Sequence, residues 1–507
     1  MNRILIIIAL FLFSAGNSYS GLTYQSWTTV GGNSNRDGYN PFFYDFQSGA
    51  DRTFNAPNSL WGMPVFSNGY SFASTRYTSL SPLRALVAGY FFNNDNPVWI
   101  YGESSGVNVI MGMYENNVYV RDFQQNGNDT IFALNYLNGS LIWKSRFTVE
   151  RGIIWTAAFT ENGDLIVPGS GNKRIMRINR LNGDTVWTNS RIIPNTGAEC
   201  MCINGNTLYA WEGGLTTPKK IIAIDVTTGL IKYSSASLPG DGDQEIPFTV
   251  SKNGVVYCIR DGGLMYALKD NGTGFTELWT RIVIQPVGTY TQIAVGKDSS
   301  VYIPNGRKIY RLNHTNGTAM DSSVEIASTG TINPRFAIGQ QGYINVSNGA
   351  SNPSEGKFYS FSMNLQNIYF EIPFAYNYYC GPALCGETAA PHLLVTGAGT
   401  EIKAKYNLIQ NINFLSNKSS PDYKLMQNYP NPFNPVTKIN FTMPEDGNAI
   451  IKIFDILGNE VYRYKEKYYT SGTYSVEFNG SGLTSGIYFY IFTSGNFRGT
   501  GKMILSK

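Results

Sequence analysis

From about residue 98 to residue 415 the chain alternates short apolar runs with polar, glycine-bearing turns, and the alternation repeats. "IFALNYLNGSLIW" at 131–143, "IMRINRLNGDTVW" at 175–187, "IIAIDVTTGLIKY" at 221–233 and "KIYRLNHTNGTAM" at 308–320 share one pattern, with a looser copy, "LMYALKDNGTGFTELW", at 264–279. Successive copies start roughly 43 to 46 residues apart, a period that belongs to repeat architectures. Each copy predicts a strand, a tight turn and a second strand. Asn135, Asn179, Asp225 and Asn313 each stand four positions before a glycine: Gly139, Gly183, Gly229 and Gly317. A short polar side chain that bonds nearby backbone is thus paired with a residue that accepts turn dihedrals. These are hairpin parts rather than active-site residues. Trp143, Trp187 and Trp279 follow the turns and are expected to fill the space between neighbouring units.

A further strand candidate precedes each hairpin: "NNVYVRD", "GDLIVPG", "NTLYAWEG", "GVVYCIRDGG" and "SSVYIPNG". The series continues through "QGYINVSNG" with "KFYSFSMNLQNIYF" and "PHLLVTGAG" with "EIKAKYNLI", giving seven recognisable units. Near the N-terminus, "LWGMPVFSNGYSFAS", "LRALVAGYFF" and "PVWIYG" predict one more. Four-stranded units of this length close best as blades around an axis, which protects strand edges. The expected fold is all-β, an eight-bladed β-propeller with seven blades as the alternative count. An N-terminal strand joining the last blade would close the ring.

"ALNYLNGSLIW", "RINRLNGDTVW" and "AIDVTTGLIKY" resemble the repeats of pyrroloquinoline-quinone-like β-propellers, and the resemblance runs from Trp27 to about Tyr406. That family includes quinoprotein dehydrogenases and also non-enzymatic assembly and binding proteins, so it implies the architecture more firmly than any reaction. An enzyme of this kind would need an acidic quinone, a calcium ion with several oxygen ligands, and a base beside the substrate. Cys200 and Cys202 are separated by Met201, unlike the adjacent cysteines of many family enzymes, and no CxxCH sequence follows. Asp241, Asp243 and Glu245 in "GDGDQE" are weak candidate metal ligands: the full calcium-loop pattern is absent and a solvated interblade turn explains them better. Asp261 in "RDGG" reads as a turn residue, and His314 and His392 have no close ligand spacing. Pyrroloquinoline quinone with calcium is therefore kept only as an alternative, and the chain leans away from an enzyme.

Composition narrows the classes. Aromatic residues make up 14% and charged residues 15% of 507 positions, which supplies a large core and opposes disorder throughout. The formal charge of +4 is accounted for by Arg3 and the segment after Asp422, leaving Gly21 to Asp422 with as many basic as acidic residues. No basic run interleaved with aromatics appears, so nucleic acid is not an expected partner. "MNRILIIIALFLFSAGNSYS" has a charged start, an apolar run and a small-residue exit, and reads as a signal peptide over 1–20. No later run is long enough for a membrane-spanning helix. Five cysteines fit an oxidising compartment, and Cys380 and Cys385 bracket a loop short enough for a disulfide. Cys258 has Cys200 or Cys202 as alternative partners, or stays unpaired.

After about residue 410 the rhythm changes. The expected layout is a propeller over 21–410, a linker over 411–422 and a small immunoglobulin-like β-sandwich over 423–507. "YPNPFNP", "KINFTMP", "KIFDILGNEV", "GTYSVEFNG", "LTSGIYFYIF" and the final "KMILSK" resemble the type A C-terminal sorting domain of the type IX secretion system. The resemblance implies Sec export followed by passage across an outer membrane, with tail removal and surface attachment as family options. It also implies that Ser494 to Lys507 contributes to recognition by the export machinery. Pro430, Pro432 and Pro435 restrict the entry to this domain, Asn431 and Asn434 suit turns, and Tyr429 and Phe433 are expected to dock the entry strap on the sandwich.

The chain is thus expected to be secreted or held on the outer cell surface, and to bind a protein, glycan or envelope component through its propeller loops. A quinoprotein oxidoreductase and a purely structural envelope protein are the alternatives.

Overall fold

Strands that are apolar at nearly every position need cover on both faces. Leu165–Pro168 is buried throughout, as are Val255–Ile259 and Val301–Asn305. The fold supplies the cover by stacking sheet against sheet. The computed structural model describes the chain outside residues 1–31, 41–49, 57–61, 69–70, 81–82, 93, 103–106, 124–128, 146–156, 169–173, 194–200, 215–216, 241–247, 284–290, 340–341, 375–379, 386–391, 398, 407–412, 417–422, 465–466, 470 and 496. Among the described residues there is no α-helix; regular structure consists of β-strands and two short 3-10 turns.

The repeat unit is a four-stranded antiparallel sheet read in chain order from its inner to its outer strand. One such sheet runs Ala158–Phe159, Leu165–Pro168, Arg174–Ile178 and Thr185–Ser190. The same order recurs in the sheets beginning at Cys202–Asn204, Thr249–Val250, Ala294–Val295 and Arg335–Ile338. Before these lies one larger sheet, in which two such units, starting at Gly62–Asn68 and Val107–Tyr114, are joined by a single parallel pairing of Ala85 with Val107. The last sheet of the series takes its outer strand from the other end of the chain. Ala50–Asn55 pairs antiparallel with Glu401–Tyr406, from Ala50 opposite Tyr406 to Asn55 opposite Glu401. Gly62–Asn68 lies beside Ala383–Cys385 on one side and Val107–Tyr114 on the other, so the series of inner strands returns on itself. This arrangement is consistent with a β-propeller.

Apolar cores sit between successive sheets. Met111, Tyr119 and Trp143 of one sheet pack with Phe159, Leu165 and Met176 of the next, and Ile166 and Ile175 pack in turn with Leu208 and Ile222. At the periphery the seams share one device. The indole Nε1 of Trp99, Trp143, Trp187 and Trp279 donates to the carbonyl oxygens of Tyr136, Arg180, Val226 and His314, at 2.7 to 2.9 Å. Each indole lies over the turn glycine of the following four-stranded unit, at 139, 183, 229 and 317. A Cβ on Gly183 would stand 2.5 Å from the Trp143 ring, and its φ of +76° is one that L side chains rarely adopt. The polar residue four positions earlier caps the same turn. Asn135 Oδ1 accepts from the Leu137 amide at 2.8 Å, and Asn179 Oδ1 from the Leu181 amide at 2.8 Å.

The C-terminal body is separate in its core. Val436–Met443 and Gly472–Asn479 belong to one sheet, Gly447–Phe454, Gly486–Ser494 and Phe497–Leu505 to a second, and Ile439, Phe441, Ile451, Phe492 and Met503 share one buried cluster. Asn413–Ser416, inside the stretch expected as linker, pairs with Gly472–Asn479.

Candidate functional site

The proline-rich entry is the best-defined functional candidate. Asn428 is buried and anchors it: its amide donates to Tyr490 Oη at 3.0 Å, and its Nδ2 donates to Pro430 O at 3.1 Å and Thr437 Oγ1 at 2.9 Å. Thr437 Oγ1 in turn donates to Pro430 O at 2.7 Å. Prolines leave several amides absent and several carbonyls in need of donors, and these buried side chains supply them. Tyr429 and Lys438 exchange two main-chain bonds of 2.9 Å.

The strap then reaches the end of the chain. Asn431 Oδ1 accepts from the Ile504 amide at 2.8 Å while its Nδ2 donates to Lys502 O at 3.2 Å. Phe433 donates its amide to Ile504 O and accepts at its carbonyl from the Ser506 amide, both at 2.9 Å, in a parallel bridge opposite Leu505. Its ring is buried, 5.9 Å from that of Phe478. Phe497–Leu505 is thus covered on one edge by Gly486–Ser494 and on the other by the strap. Pro435 O accepts from the Gly480 amide at 2.8 Å. Of the two aromatics expected to dock, Phe433 does and Tyr429 does not: the Tyr429 side chain is 80% exposed, because its bonds to Lys438 are made by the backbone alone. Asn428, one residue ahead of the seven named from the sequence, carries more of the geometry than Tyr429. The signal for it was a polar residue two positions before the first of three closely spaced prolines.

The second place where functional groups converge is the propeller interior. Residues 33–40, polar and turn-rich in sequence, run inward: Arg36 is fully buried, and Asp37 and Asn40 are 3% exposed. Arg36 Nε donates to Met201 O at 2.5 Å. Burial pushes the Asp37 carboxyl up to about 6, against bonds from the Tyr39 amide and Asn33 Nδ2 that favour its charge. A third cluster sits at one seam, where Asp270 accepts from Tyr209 at 2.5 Å and Tyr233 at 2.6 Å.

Asp241, Asp243 and Glu245 lie outside the described residues, as do Cys200 and the side chain of Cys385. Cys380 is buried near Arg76 and Arg335, and burial pushes its thiol up to about 12. The backbone of Asp261 opens a 3-10 turn, and His314 contributes its carbonyl to the Trp279 seam. Among the described residues no three His, Cys, Asp or Glu side chains stand close enough to hold a metal ion.

Residues 84–320 match the family described as outer membrane protein assembly factor BamB, and residues 427–506 match the secretion system C-terminal sorting domain. Among solved structures, the quinohemoprotein alcohol dehydrogenase of Comamonas testosteroni is 12% identical, with a TM-score of 0.58 over 78% of this chain and 83% of that one. Its counterpart ADHIIG from Pseudomonas putida HK5 is 11% identical, with a TM-score of 0.55 over 78% and 82%. A europium-containing methanol dehydrogenase is 10% identical, with a TM-score of 0.55 over 75% and 98%. At these identities the likeness shows the fold. No curated protein matches the chain.

Proposed function

We propose, from the premise that this chain is a PQQ- and BamB-like β-propeller fused to a C-terminal type IX secretion sorting domain, that it is an exported module whose propeller binds a protein partner at the cell envelope. The sorting domain engages the type IX machinery, and the chain is secreted or carried on the outer cell surface. In this reading the ring has eight blades, counting the large sheet as two, and the tail is an immunoglobulin-like sandwich. In the same reading the signal peptide spans 1–20, the propeller 21–410 and the sorting domain 423–507, with the pairing of Asn413–Ser416 favouring an earlier start for the tail body.

The observation that supports binding is the difference between the two ends of the ring. On one end the inner strand turns tightly into the next, as from Phe159 to Leu165, Asn204 to Thr207 and Val295 to Val301. On the other, the outer strand of one sheet takes a longer connection to the inner strand of the next, as from Ser190 to Cys202, Ser234 to Thr249 and Ser322 to Arg335. Long loops on a rigid scaffold are where binding residues concentrate. At the base of these connections stand Ile192, Ile282 and Val324, which are 76%, 72% and 56% exposed. Exposed aliphatics near the ends of three outer strands suit an apolar protein surface better than a sugar.

The test uses mature protein recovered from the host's culture fluid and its washed envelopes. Saturable binding, weakened at least tenfold by Ile192→Ser, Ile282→Ser and Val324→Ser together without loss of thermal stability, supports the reading. Unsaturable deposition with self-association supports a structural role instead. A noncovalent mass of quinone plus calcium, lost on denaturation, supports the oxidoreductase.

A further inference from the structure

Residues 33–40 touch the inner strands of six successive sheets, in order. Ser34 Oγ donates to Phe159 O at 2.5 Å and accepts from its amide at 2.9 Å. The carbonyl of Ser34 accepts from the Ile203 amide at 2.7 Å, and that of Asn35 from the Val250 amide at 3.0 Å. Arg36 O accepts from Thr249 Oγ1 at 3.0 Å and Gln292 Nε2 at 3.4 Å. Asp37 O accepts from the Val295 amide at 2.8 Å, and Gly38 O from the Ile338 amide at 2.7 Å. Asn40 closes the series, its amide donating to Ile338 O and its Nδ2 to Leu384 O, both at 2.8 Å.

We infer that the inner strands form a peptide-binding site whose ligand is the chain's own segment Asn33–Asn40, held as an axial pin. The ligand class follows from the chemistry. The site offers main-chain amides at intervals around the axis and needs a chain of carbonyl oxygens with the same spacing. It also offers the carbonyls of Met201 and Ala157, which take the Arg36 guanidinium at 2.5 and 3.4 Å. A glycine is required at one point, since a Cβ on Gly38 would stand 3.0 Å from Gln292 Nε2 and 3.1 Å from Phe336 O, at a φ of +69°. The bonds fall on Phe159, Val250, Val295 and Ile338, the last residues of their strands, so the pin occupies the end of the axis where the inner strands turn back.

Amide exchange on the full chain tests this. In Gly38→Val and in Arg36→Ala, the amides of Ile203, Val250, Val295 and Ile338 are expected to exchange at least a hundredfold faster, while those of Tyr209, Val256 and Ile303 inside the sheets keep their rates. Unchanged rates at all seven positions overturn the inference, and so does a common rise, which would make the segment an inseparable part of the core. Should Gly38→Val fail to fold, a protease site inserted between Pro41 and Gly49 allows the pin to be nicked and exchanged for a labelled synthetic peptide of residues 32–41. A peptide carrying Arg36→Ala is expected to compete at least tenfold less well, and equal competition overturns the proposal.

Discussion

The hydroxyl of Tyr233 donates to Oδ1 of Asp270 at 2.6 Å, at a seam where the flanking seams set an indole over a glycine. Tyr233 holds the position in its repeat that Trp143 and Trp187 hold in theirs, and Asp270 the position of Arg180 and Val226, whose carbonyls accept from those indoles. The substitution converts an apolar seam into a charged one. Burial opposes ionisation, but bonds from Tyr209 and Tyr233 outweigh it and hold the Asp270 carboxyl below its ordinary value. Burial raises both tyrosines, and the pairing with Asp270 raises them further. A carboxyl lowered in the fold adds stability above its unfolded value, and that stability is lost as pH falls through the folded one. Denaturation between pH 7 and pH 3 is expected to show this loss in the parent and a smaller one in Asp270→Asn. Tyr233→Phe is expected to cost about 1–2 kcal/mol at pH 7, measured by urea unfolding.

Trp143→Ala is expected to destabilise by about 3–5 kcal/mol, because it removes a 7% exposed indole and leaves a cavity between two sheets. Gly183→Ala attacks the same seam from the other side, through both the ring contact and the backbone. The two together should cost less than their sum, a coupling readable in a double-mutant cycle.

Asp37 carries the opposite pH signature. Burial lifts its carboxyl to about 6, with only Lys252 and local hydrogen bonds pulling it back. The fold is therefore most favoured below about pH 4 at this group and loses that advantage, about 2–4 kcal/mol, as pH rises toward 6. Asp37→Asn keeps an Oδ1 for the Tyr39 amide and Asn33 Nδ2, so it should remove this pH dependence and melt above the parent at pH 8.

Phe433→Ala and Asn431→Ala are expected to leave the protein in the periplasm, since both loosen the strap from the terminal strand. Tyr429→Ala should secrete normally, as its side chain is exposed. Immunoblots of periplasm and medium distinguish these outcomes. Equal export of all three would separate the strap from sorting.

The repeats were legible because their devices are local: a polar turn residue, a glycine four positions on and an aromatic after it all act within one hairpin and the next. Phe433 was legible for a similar reason, since an aromatic between prolines has few other places to go. The axial pin was not. "NSNRDGYN" has the composition of a solvated loop, and its burial depends on strands from Phe159 to Leu384 that no local pattern connects to it. Tyr429 misled for the converse reason: its neighbours resemble a docked aromatic, but the strap turns it outward. In the same way, the strand Asn413–Ser416 is held by a partner far along the chain, Gly472–Asn479, and the polar composition around it reads as linker.

The pin also sets an order of arrival. A chain that crosses a membrane N-terminus first delivers Asn33–Asn40 and Ala50–Asn55 before any of their partners, and the last of these, Leu384 and Glu401–Tyr406, come at the end of the propeller. Contacts this distant in sequence form late. The leading residues wait for partners that arrive blade by blade, and the last of them act as a completeness check: a propeller truncated before Leu384 leaves the Asn40 side chain without its acceptor and has no Glu401–Tyr406 to receive its first strand. Only a fully delivered body can shut, and the sorting tail emerges after it.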